Sequence, residues 1–260
     1  MSKISIITIS YNNKEGLSKT INSVLNQSYK YIEYLVIDGG SNDGTVDLLK
    51  SYDSDIDHWV SESDKGIYNA MNKGIQAASG EYLLFLNSGD VLLENSTIEK
   101  ASQGLCADIV YGDLVINKSG VLREKRYPDI LTFEYLWKSH LPHPASFIKK
   151  ELFQRCGLYN ENNKIVSDQE FFITALIKGN ASYKHLNFPI TKFEFDGISS
   201  KDENRNLIKQ ERVTFFNKHF PLLITNFQEL DHLKKIQSSR VVKKALKFRK
   251  VLTFFKNKFS

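Results

Sequence analysis

The stretch Gly80–Asp90, GEYLLFLNSGD, places five nearly unbroken apolar residues directly before an amide, a hydroxyl, a glycine and a carboxylate. An apolar run of this length predicts a strand covered on both faces, and open parallel sheets bind ligands at the carboxyl ends of such strands. Asp90 falls at that end. Asn, Ser, Gly and Asp are also common turn formers, so residues 87–90 taken alone favour a plain turn, and the rest of the chain must decide.

The residues before this stretch repeat a strand and helix pattern. Alternating or continuous apolar residues predict strands, and apolar residues at helical spacing predict the segments between them. The predicted strands are Ile4–Ile9, Tyr34–Asp38 and His58–Val60, and the predicted helices are Lys14–Gln27, Val46–Ser51 and Ile67–Ala78. Short strands that alternate with helices indicate an α/β fold built on a parallel sheet.

Three of the predicted strands end in acids, at Asp38, Asp64 and Asp90. The carboxyl ends of parallel strands share one edge, where like charges repel unless hydrogen-bond donors or a cation offset them. A binding site is therefore favoured over three coincidental turns. The first strand is followed by Ser10–Asn13, which lacks the glycines of a dinucleotide fingerprint, and no P-loop sequence occurs. Such an acidic site would handle a diphosphate through Mg²⁺ or Mn²⁺, with Asp90 as ligand.

Composition places the chain among ordered globular proteins, with 260 residues of which 41% are hydrophobic. Only Cys106 and Cys156 are present, too few for a disulfide framework, so a reducing, cytoplasmic compartment is expected. The first residues resemble no signal sequence. No apolar run approaches the roughly 18 residues of a membrane span.

Positive charge is concentrated at the C-terminus. Residues 240–260 carry eight Lys or Arg and no acid. These eight positive charges exceed the net charge of +5 of the whole chain, so the rest of the chain has a net negative charge. The body therefore has no electrostatic reason to bind nucleic acid. In the tail, apolar residues recur at spacings of four and three, which predicts a basic amphipathic helix on an anionic membrane surface. A helix docked on its own domain is the alternative.

Five segments together carry a family resemblance. They are ITISYNN from Ile7, VIDGGSNDGT from Val36, ESDKGIYNAMNKGI from Glu62, GEYLLFLNSGD from Gly80 and SDQEFF from Ser167. Their order and spacing resemble a family 2 glycosyltransferase of the GT-A fold. The resemblance implies a Rossmann-like, mostly parallel sheet flanked by helices, with an acceptor-side extension. It places the glycosyltransferase domain at 1–200, divided into a nucleotide-sugar half 1–115 and an acceptor half 116–200, and a helical C-terminal extension at 201–260.

The resemblance also implies roles for individual residues. Asp38 would hold the base or ribose of the nucleotide, Asp90 would bind the metal, and Asp168 would be the catalytic base. Further nucleotide-sugar contacts are expected from Thr8, Tyr11, Asp64, Lys65 and Asn87. The family's metal motif usually holds two or three acids, whereas residues 87–90 contain one.

Two assignments keep alternatives. A Ser-Asp-x-Glu pattern before an apolar run is also an ordinary helix start, and Glu170 rivals Asp168 as the base. Aromatic and histidine residues between Tyr127 and Ser146 predict no regular element. Trp137 and His143 are acceptor-site candidates there, although most such aromatics belong to a core.

The expected function is inverting transfer of a hexosyl or N-acetylhexosaminyl group from a nucleotide-diphosphate sugar, most simply a UDP-sugar, to an acceptor hydroxyl. A lipid-linked glycan in bacterial surface polysaccharide synthesis (lipopolysaccharide O-antigen or capsule) would suit a peripheral protein on the inner face of the cytoplasmic membrane. The alternatives are a non-catalytic sugar-nucleotide or glycan-binding module on the same fold, and a nucleotidyltransferase. The latter lacks a glycine- and basic-rich triphosphate loop.

Overall fold

A computed structural model describes residues 1–195, 197 and 200–240. The chain divides into two compact units, 1–211 and 212–260. The predicted division after residue 200 stays a prediction. The proposed membrane helix falls mostly on 241–260, outside the described residues.

The described residues contain nine strands that form one sheet. In chain order they are β1 Ile4–Ser10, β2 Ile32–Asp38, β3 His58–Ser61, β4 Tyr82–Phe85, β5 Val91–Leu92, β6 Ile109–Lys118, β7 Val121–Lys125, β8 Ser146–Lys149 and β9 Tyr183–Glu194.

The sheet has the strand order β3-β2-β1-β4-β8-β6-β9-β5, and β7 pairs with β6. The four leading strands are mutually parallel, as the sequence predicted, so their carboxyl ends lie at one edge. The acceptor half makes the sheet mixed, because β8 is antiparallel to both β4 and β6 while β9 runs parallel to β6. Strand β5 closes the far side against β9.

The described residues also contain nine α-helices. They are α1 Lys14–Leu25, α2 Thr45–Ser51, α3 Ile67–Ala77, α4 Thr97–Ser102, α5 Phe133–Lys138, α6 Lys150–Cys156, α7 Ser167–Ile173, α8 Arg205–His219 and α9 Pro221–Ser238. A π-helical turn, Thr174–Lys178, continues α7. Among the described residues, no helix combines the length and the apolar character needed to cross a membrane.

Helix α3 is fixed closely against the middle of the sheet. A Cβ added to Gly74 would come within 2.5 Å of the Ile7 side chain, so glycine permits the close approach of α3 to β1. Strand β1 is buried along its whole length, and α3 buries Met71 and Ile75 in the same core. The first turn of α3 is thereby held at the carboxyl edge of the parallel strands.

The segment from Tyr127 to Ser146 is more regular than predicted. It contains α5, whose N-cap Thr132 accepts a hydrogen bond from the Tyr135 backbone N–H, and a 3-10 turn at His143–Ala145. The prediction of no regular element was therefore wrong. The segment contains three prolines, which predict irregular structure, and its helix has only six residues. A helix of that length is too short to show a clear apolar period.

Candidate active site

The loops after β1 and β2 are joined by hydrogen bonds. The backbone N–H of Asn12 donates to Ser41 Oγ at 2.7 Å, and Asn12 Oδ1 accepts from the Asn42 N–H at 2.9 Å. The Lys14 N–H donates to Asp43 Oδ2 at 2.9 Å. Asn12 adopts a left-handed backbone at φ 48°, which Asn tolerates better than most residues. The two loops form one connected rim at the carboxyl edge.

Asp38 lies at the end of β2 and organises this rim from within. Its side chain is fully buried, and its carboxylate accepts from the N–H groups of Gly40 and Ser41 and from the hydroxyls of Ser41 and Ser61. These four bonds satisfy most of the acceptor capacity of a carboxylate. Asp38 therefore shapes the loop, and its direct contact with a nucleotide stays a prediction.

Tyr11, Gly39 and Asp64 are brought together from three loops. A Cβ added to Gly39 would meet Asp64 Oδ2 at 2.5 Å and the Tyr11 ring at 3.2 Å. The Tyr11 ring is 65% exposed, so its face is open for stacking on a planar ligand. Asp64 Oδ1 accepts from the Gly66 N–H at 2.8 Å, and Lys65 is exposed beside it. This group is the best candidate for a nucleotide pocket.

Gly39→Ala tests this pocket. We expect UDP affinity to fall about tenfold, or about 1.4 kcal/mol, because the new methyl group displaces the Asp64 carboxylate and the Tyr11 ring. Titration calorimetry with UDP measures the change. Gly104→Ala is a matched control, since its Cβ would crowd the Leu186 side chain at 2.4 Å, away from these loops. Equal UDP affinity in Gly39→Ala and wild type would contradict the assignment.

The turn after β4 presents an unsatisfied acceptor. Asn87 Oδ1 is buried and has no hydrogen-bond partner, which costs free energy unless a ligand or water supplies a donor or a cation. Asp90 is buried three residues later, and its Oδ1 accepts from the Glu194 N–H at 3.3 Å. Thr20 on α1 holds the turn by donating to the Asp90 backbone carbonyl at 2.7 Å.

These two side chains fit a divalent metal that takes few protein ligands and completes its shell with substrate and water. Mg²⁺ and Mn²⁺ prefer carboxylate and amide oxygens, as Asp90 and Asn87 offer. Across the part of the chain that the structure describes, no three His, Cys, Asp or Glu side chains converge as a metal site. The expected mutual repulsion of the three strand-end acids is reduced because Asp38 and Asp64 accept hydrogen bonds from their own loops.

The hydroxyl groups of Ser10 and Thr8 on β1 differ in whether they have a hydrogen-bond partner. The Ser10 hydroxyl is buried without a partner and stands in register with Asp38, a feature that the sequence analysis did not single out. Thr8 is fully buried, and its hydroxyl pairs with the Tyr34 hydroxyl at 3.1 Å. The structure therefore does not bring Thr8 to the pocket, and Ser10 is the β1 side chain with unused hydrogen-bonding capacity.

Asp168 is half-buried in the first turn of α7, facing α3. Its Oδ1 accepts from the Tyr68 hydroxyl at 2.9 Å. Burial, followed by the negative charge of Asp168, holds the pKa of Tyr68 well above its usual range, so Tyr68 stays a donor at neutral pH. The rival carboxylate, Glu170, is within 3.3 Å of the Asn160 amide.

Polar residues on α3 fasten the segment that precedes α7. Asn72 donates to the Tyr159 carbonyl and accepts from the Tyr159 N–H, at 2.9 and 3.0 Å. Asn69 and Asn72 both donate to the Glu161 carboxylate, and these bonds lower its pKa. The sequence patterns did not indicate Tyr68, Asn72 and Glu161 as residues that support the candidate site. For Tyr68 and Asn72, the sequence signal that could have identified them is a polar side chain beside the apolar face of a predicted helix, α3.

His143 lies in an aromatic core. Its ring stacks on Phe85 at 4.9 Å, and its Nε2 is 2.9 Å from the Tyr159 hydroxyl. Burial lowers the pKa of His143, partly opposed by the charge of Asp168. At 7% exposure it offers little surface, and its acceptor role stays a prediction. Trp137 lies on α5 and is only partly buried, so its acceptor role stays a prediction.

Solved structures resemble this fold. A complex of Staphylococcus aureus TarS residues 1–349 with UDP-GlcNAc superposes with a TM-score of 0.65 at 17% identity, over 83% of this chain and 66% of that one. The mannosyltransferase PcManGT of Pyrobaculum calidifontis, in complex with GDP-Man and Mn²⁺, gives a TM-score of 0.55 at 17% identity, over 72% and 55%. Both likenesses concern the fold, and the predicted GT-A architecture is confirmed.

Sequence relatives carry the comparison further. An uncharacterized glycosyltransferase of Mycobacterium tuberculosis is 36% identical over 180 residues, which cover 67% of this chain and 69% of the relative. A Bacillus subtilis protein named for teichuronic acid biosynthesis is 31% identical over 140 residues, covering 50% and 55%. The model of glycosyl transferase family 2 matches residues 5–161. The chain belongs to glycosyl transferase family 2.

Proposed function

We propose that the chain transfers a sugar, with inversion, from a nucleoside diphosphate sugar to an acceptor hydroxyl, and that Asp168 is the general base. The observation that most directly supports this proposal is that helix α3 connects the nucleotide pocket to Asp168. Helix α3 begins three residues after Asp64 of the nucleotide pocket, and its Tyr68 donates to Asp168. The rigid packing of α3 on β1 would keep the donor and the base in a fixed relation.

In the proposed reaction the acceptor oxygen attacks the anomeric carbon from the face opposite the diphosphate. The new glycosidic bond forms while the bond to the diphosphate oxygen breaks, and Asp168 takes the hydroxyl proton. The nucleoside diphosphate leaves with the bonding electron pair. A single displacement of this kind inverts the anomeric configuration and needs no covalent intermediate.

The donor is proposed to be a UDP-sugar carrying a hexosyl or N-acetylhexosaminyl group. Tyr11 and Asp64 would contact the nucleotide, and Lys65 would approach its phosphates. The TarS complex with UDP-GlcNAc and the PcManGT complex with GDP-Man support a nucleotide-sugar donor for this fold. The exposed Tyr11 face and the adjacent carboxylate suit a planar base and its N–H groups.

Mg²⁺ or Mn²⁺ is proposed as the cofactor, held by Asp90 and Asn87. When bound, it would supply positive charge to the departing diphosphate. The buried, unpaired Asn87 oxygen supports this assignment, as does the Mn²⁺ in the PcManGT complex.

The acceptor is proposed to be a lipid-linked glycan of a bacterial surface polysaccharide, reached at the cytoplasmic face of the membrane. The relative named for teichuronic acid biosynthesis supports polysaccharide synthesis. The basic, acid-free sequence 240–260 supports the membrane location, through attraction to anionic lipids.

Removal of residues 240–260 tests the location. We expect the full chain to sediment with anionic vesicles and the truncated chain to remain in the supernatant. Each Lys or Arg near the surface contributes about 1 kcal/mol, so binding should weaken with salt, while apolar burial should preserve part of it. Turnover of a water-soluble acceptor is the control. Truncation that destroyed the cooperative melt would instead assign the tail to the folded core.

The enzymatic proposal is tested by nucleoside diphosphate release with a panel of nucleotide sugars and lipid-linked acceptors. A thermal-shift screen first selects the donor, since a ligand at 100 times its Kd stabilises by about 2.7 kcal/mol. Release that depends on both substrates supports the proposal. Donor binding without release for any acceptor would favour the non-catalytic module, which the single acid of the metal motif makes worth testing. Pyrophosphate release would indicate a nucleotidyltransferase.

A further inference from the structure

The segment before α7 is held by a carboxylate from a distant part of the chain. Glu211 on α8 accepts from three successive backbone N–H groups, those of Lys164, Ile165 and Val166, at 2.8, 3.1 and 3.2 Å. Helix α7 has no side-chain cap of its own at Val166. Successive N–H groups that point at one carboxylate form a concave anion site, which here is filled from within the same compact unit.

Ile165 is held from both sides. Its N–H donates to Glu211, and its carbonyl accepts from the Tyr68 hydroxyl at 2.5 Å. The same Tyr68 oxygen is 2.9 Å from Asp168 Oδ1. The Val166 N–H, which also donates to Glu211, belongs to the same peptide unit as the Ile165 carbonyl. A continuous chain of hydrogen bonds therefore runs from the Glu211 carboxylate through the Ile165–Val166 peptide and the Tyr68 phenol to the proposed base.

The Tyr68 hydroxyl has one proton but two acceptors within reach. While Asp168 is ionised, that proton must be shared between the Ile165 carbonyl and the Asp168 carboxylate. The Tyr68 hydroxyl is thus held between the Ile165 carbonyl and Asp168 Oδ1, which fixes where the carboxylate lies. The negative charge of Asp168 also acts on the side chains of His143 and Tyr159.

We propose that Tyr68 and Glu211 form one positioning unit for Asp168, in which Glu211 fixes the peptide that joins Ile165 and Val166 and Tyr68 transmits that position to the base. The inference rests on the proposed function, because it takes Asp168 as the base. It assigns to neither Tyr68 nor Glu211 a contact with substrate. Their effect is on the orientation of the carboxylate.

Tyr68→Phe and Glu211→Gln test the unit in the full-length chain. We expect each to lower kcat by about tenfold or more, because a displacement of about 1 Å at the base can cost a hundredfold. Donor affinity and acceptor KM should stay within about twofold, since neither residue touches substrate. The Tyr68→Phe/Glu211→Gln double variant should lose no more than the worse single variant, because both changes break one chain.

Matched controls come from the amino-terminal edge of the sheet. Tyr82→Phe removes a buried phenol that donates to the Ala107 carbonyl at 2.8 Å, and Glu33→Gln removes a carboxylate that accepts from the Ser79 N–H at 2.7 Å. Both controls should retain wild-type kcat when assayed below their melting temperatures. A loss of kcat in the controls equal to that in the test variants would overturn the inference, because it would reflect general destabilisation.

The outcomes separate the inference from the proposed function. If Asp168→Asn is inactive but Tyr68→Phe keeps kcat within twofold of wild type, the positioning unit is overturned while the base assignment stands. Tyr68→Phe keeps the ring and its packing, so it decides the question even if Glu211→Gln fails to fold. If Glu211→Gln folds and keeps full kcat, Glu211 is removed from the unit. Full activity of Asp168→Asn would overturn the base assignment itself.

Discussion

Asp168→Asn is expected to lower turnover by about 10²–10⁴-fold, the range that a general base contributes, while donor affinity stays close to wild type. The amide keeps the size of the carboxylate and can still accept from Tyr68 at the Oδ1 position. At neutral pH, however, the amide cannot take up the proton of the attacking hydroxyl. The base acts on the acceptor in the transition state, so the loss should appear in kcat rather than in the donor Kd.

Nucleoside diphosphate release under saturating donor measures the first quantity, and calorimetry measures the second. Glu170→Gln provides the comparison on the same helix, two residues away. Retention of more than about a hundredth of wild-type turnover by Asp168→Asn would fall short of a general base. A large loss confined to Glu170→Gln would move the base assignment to Glu170.

Asp90→Asn is the second large effect. We expect donor affinity in Mg²⁺ or Mn²⁺ to fall by about 10–100-fold or more, since even outer partners of metal ligands have effects of that size. We further expect chelator to leave donor affinity in the variant unchanged. The amide preserves the shape of the turn that Thr20 holds, and it removes the single carboxylate charge of residues 87–90.

Donor titrations with and without chelator, on wild type and variant, give the required comparison. Asp57→Asn is a matched control, because Asp57 likewise accepts from a backbone N–H, that of Tyr34 at 2.7 Å, without belonging to the site. A chelator response in Asp90→Asn equal to that of wild type would place the metal elsewhere or exclude it from donor binding.

Local sequence patterns predicted the parallel half of the fold closely. Strand Ile4–Ile9 ends one residue later in the structure, and helix Ile67–Ala78 ends one residue earlier. These elements are predictable because burial on a sheet or on a helix face repeats with a fixed period. The antiparallel insertion of β8 between β4 and β6 was not predicted, because strand pairing over long separations leaves no local period.

The site was predictable where residues follow strand ends and less so where they depend on tertiary contacts. Asp38, Asp64 and Asp90 lie at or just after the ends of strands, and the loops that carry them follow from the parallel order. The burial of His143 against Phe85 could not be read from a polar residue among prolines. Glu211 is 45 residues from Val166, a separation that no motif spacing encodes.

The contact between Glu211 and residues 164–166 also affects where the protein can be cut or recombined. The family match ends at residue 161 and the last described strand at Glu194, so a fragment cut soon after β9 would retain every strand that the structure describes. Such a fragment would nevertheless leave three amide groups beside α7 without their carboxylate. Chimeras that exchange the second half of this fold should therefore carry Glu211 together with α7, since the contacts that support this helix extend beyond the sheet.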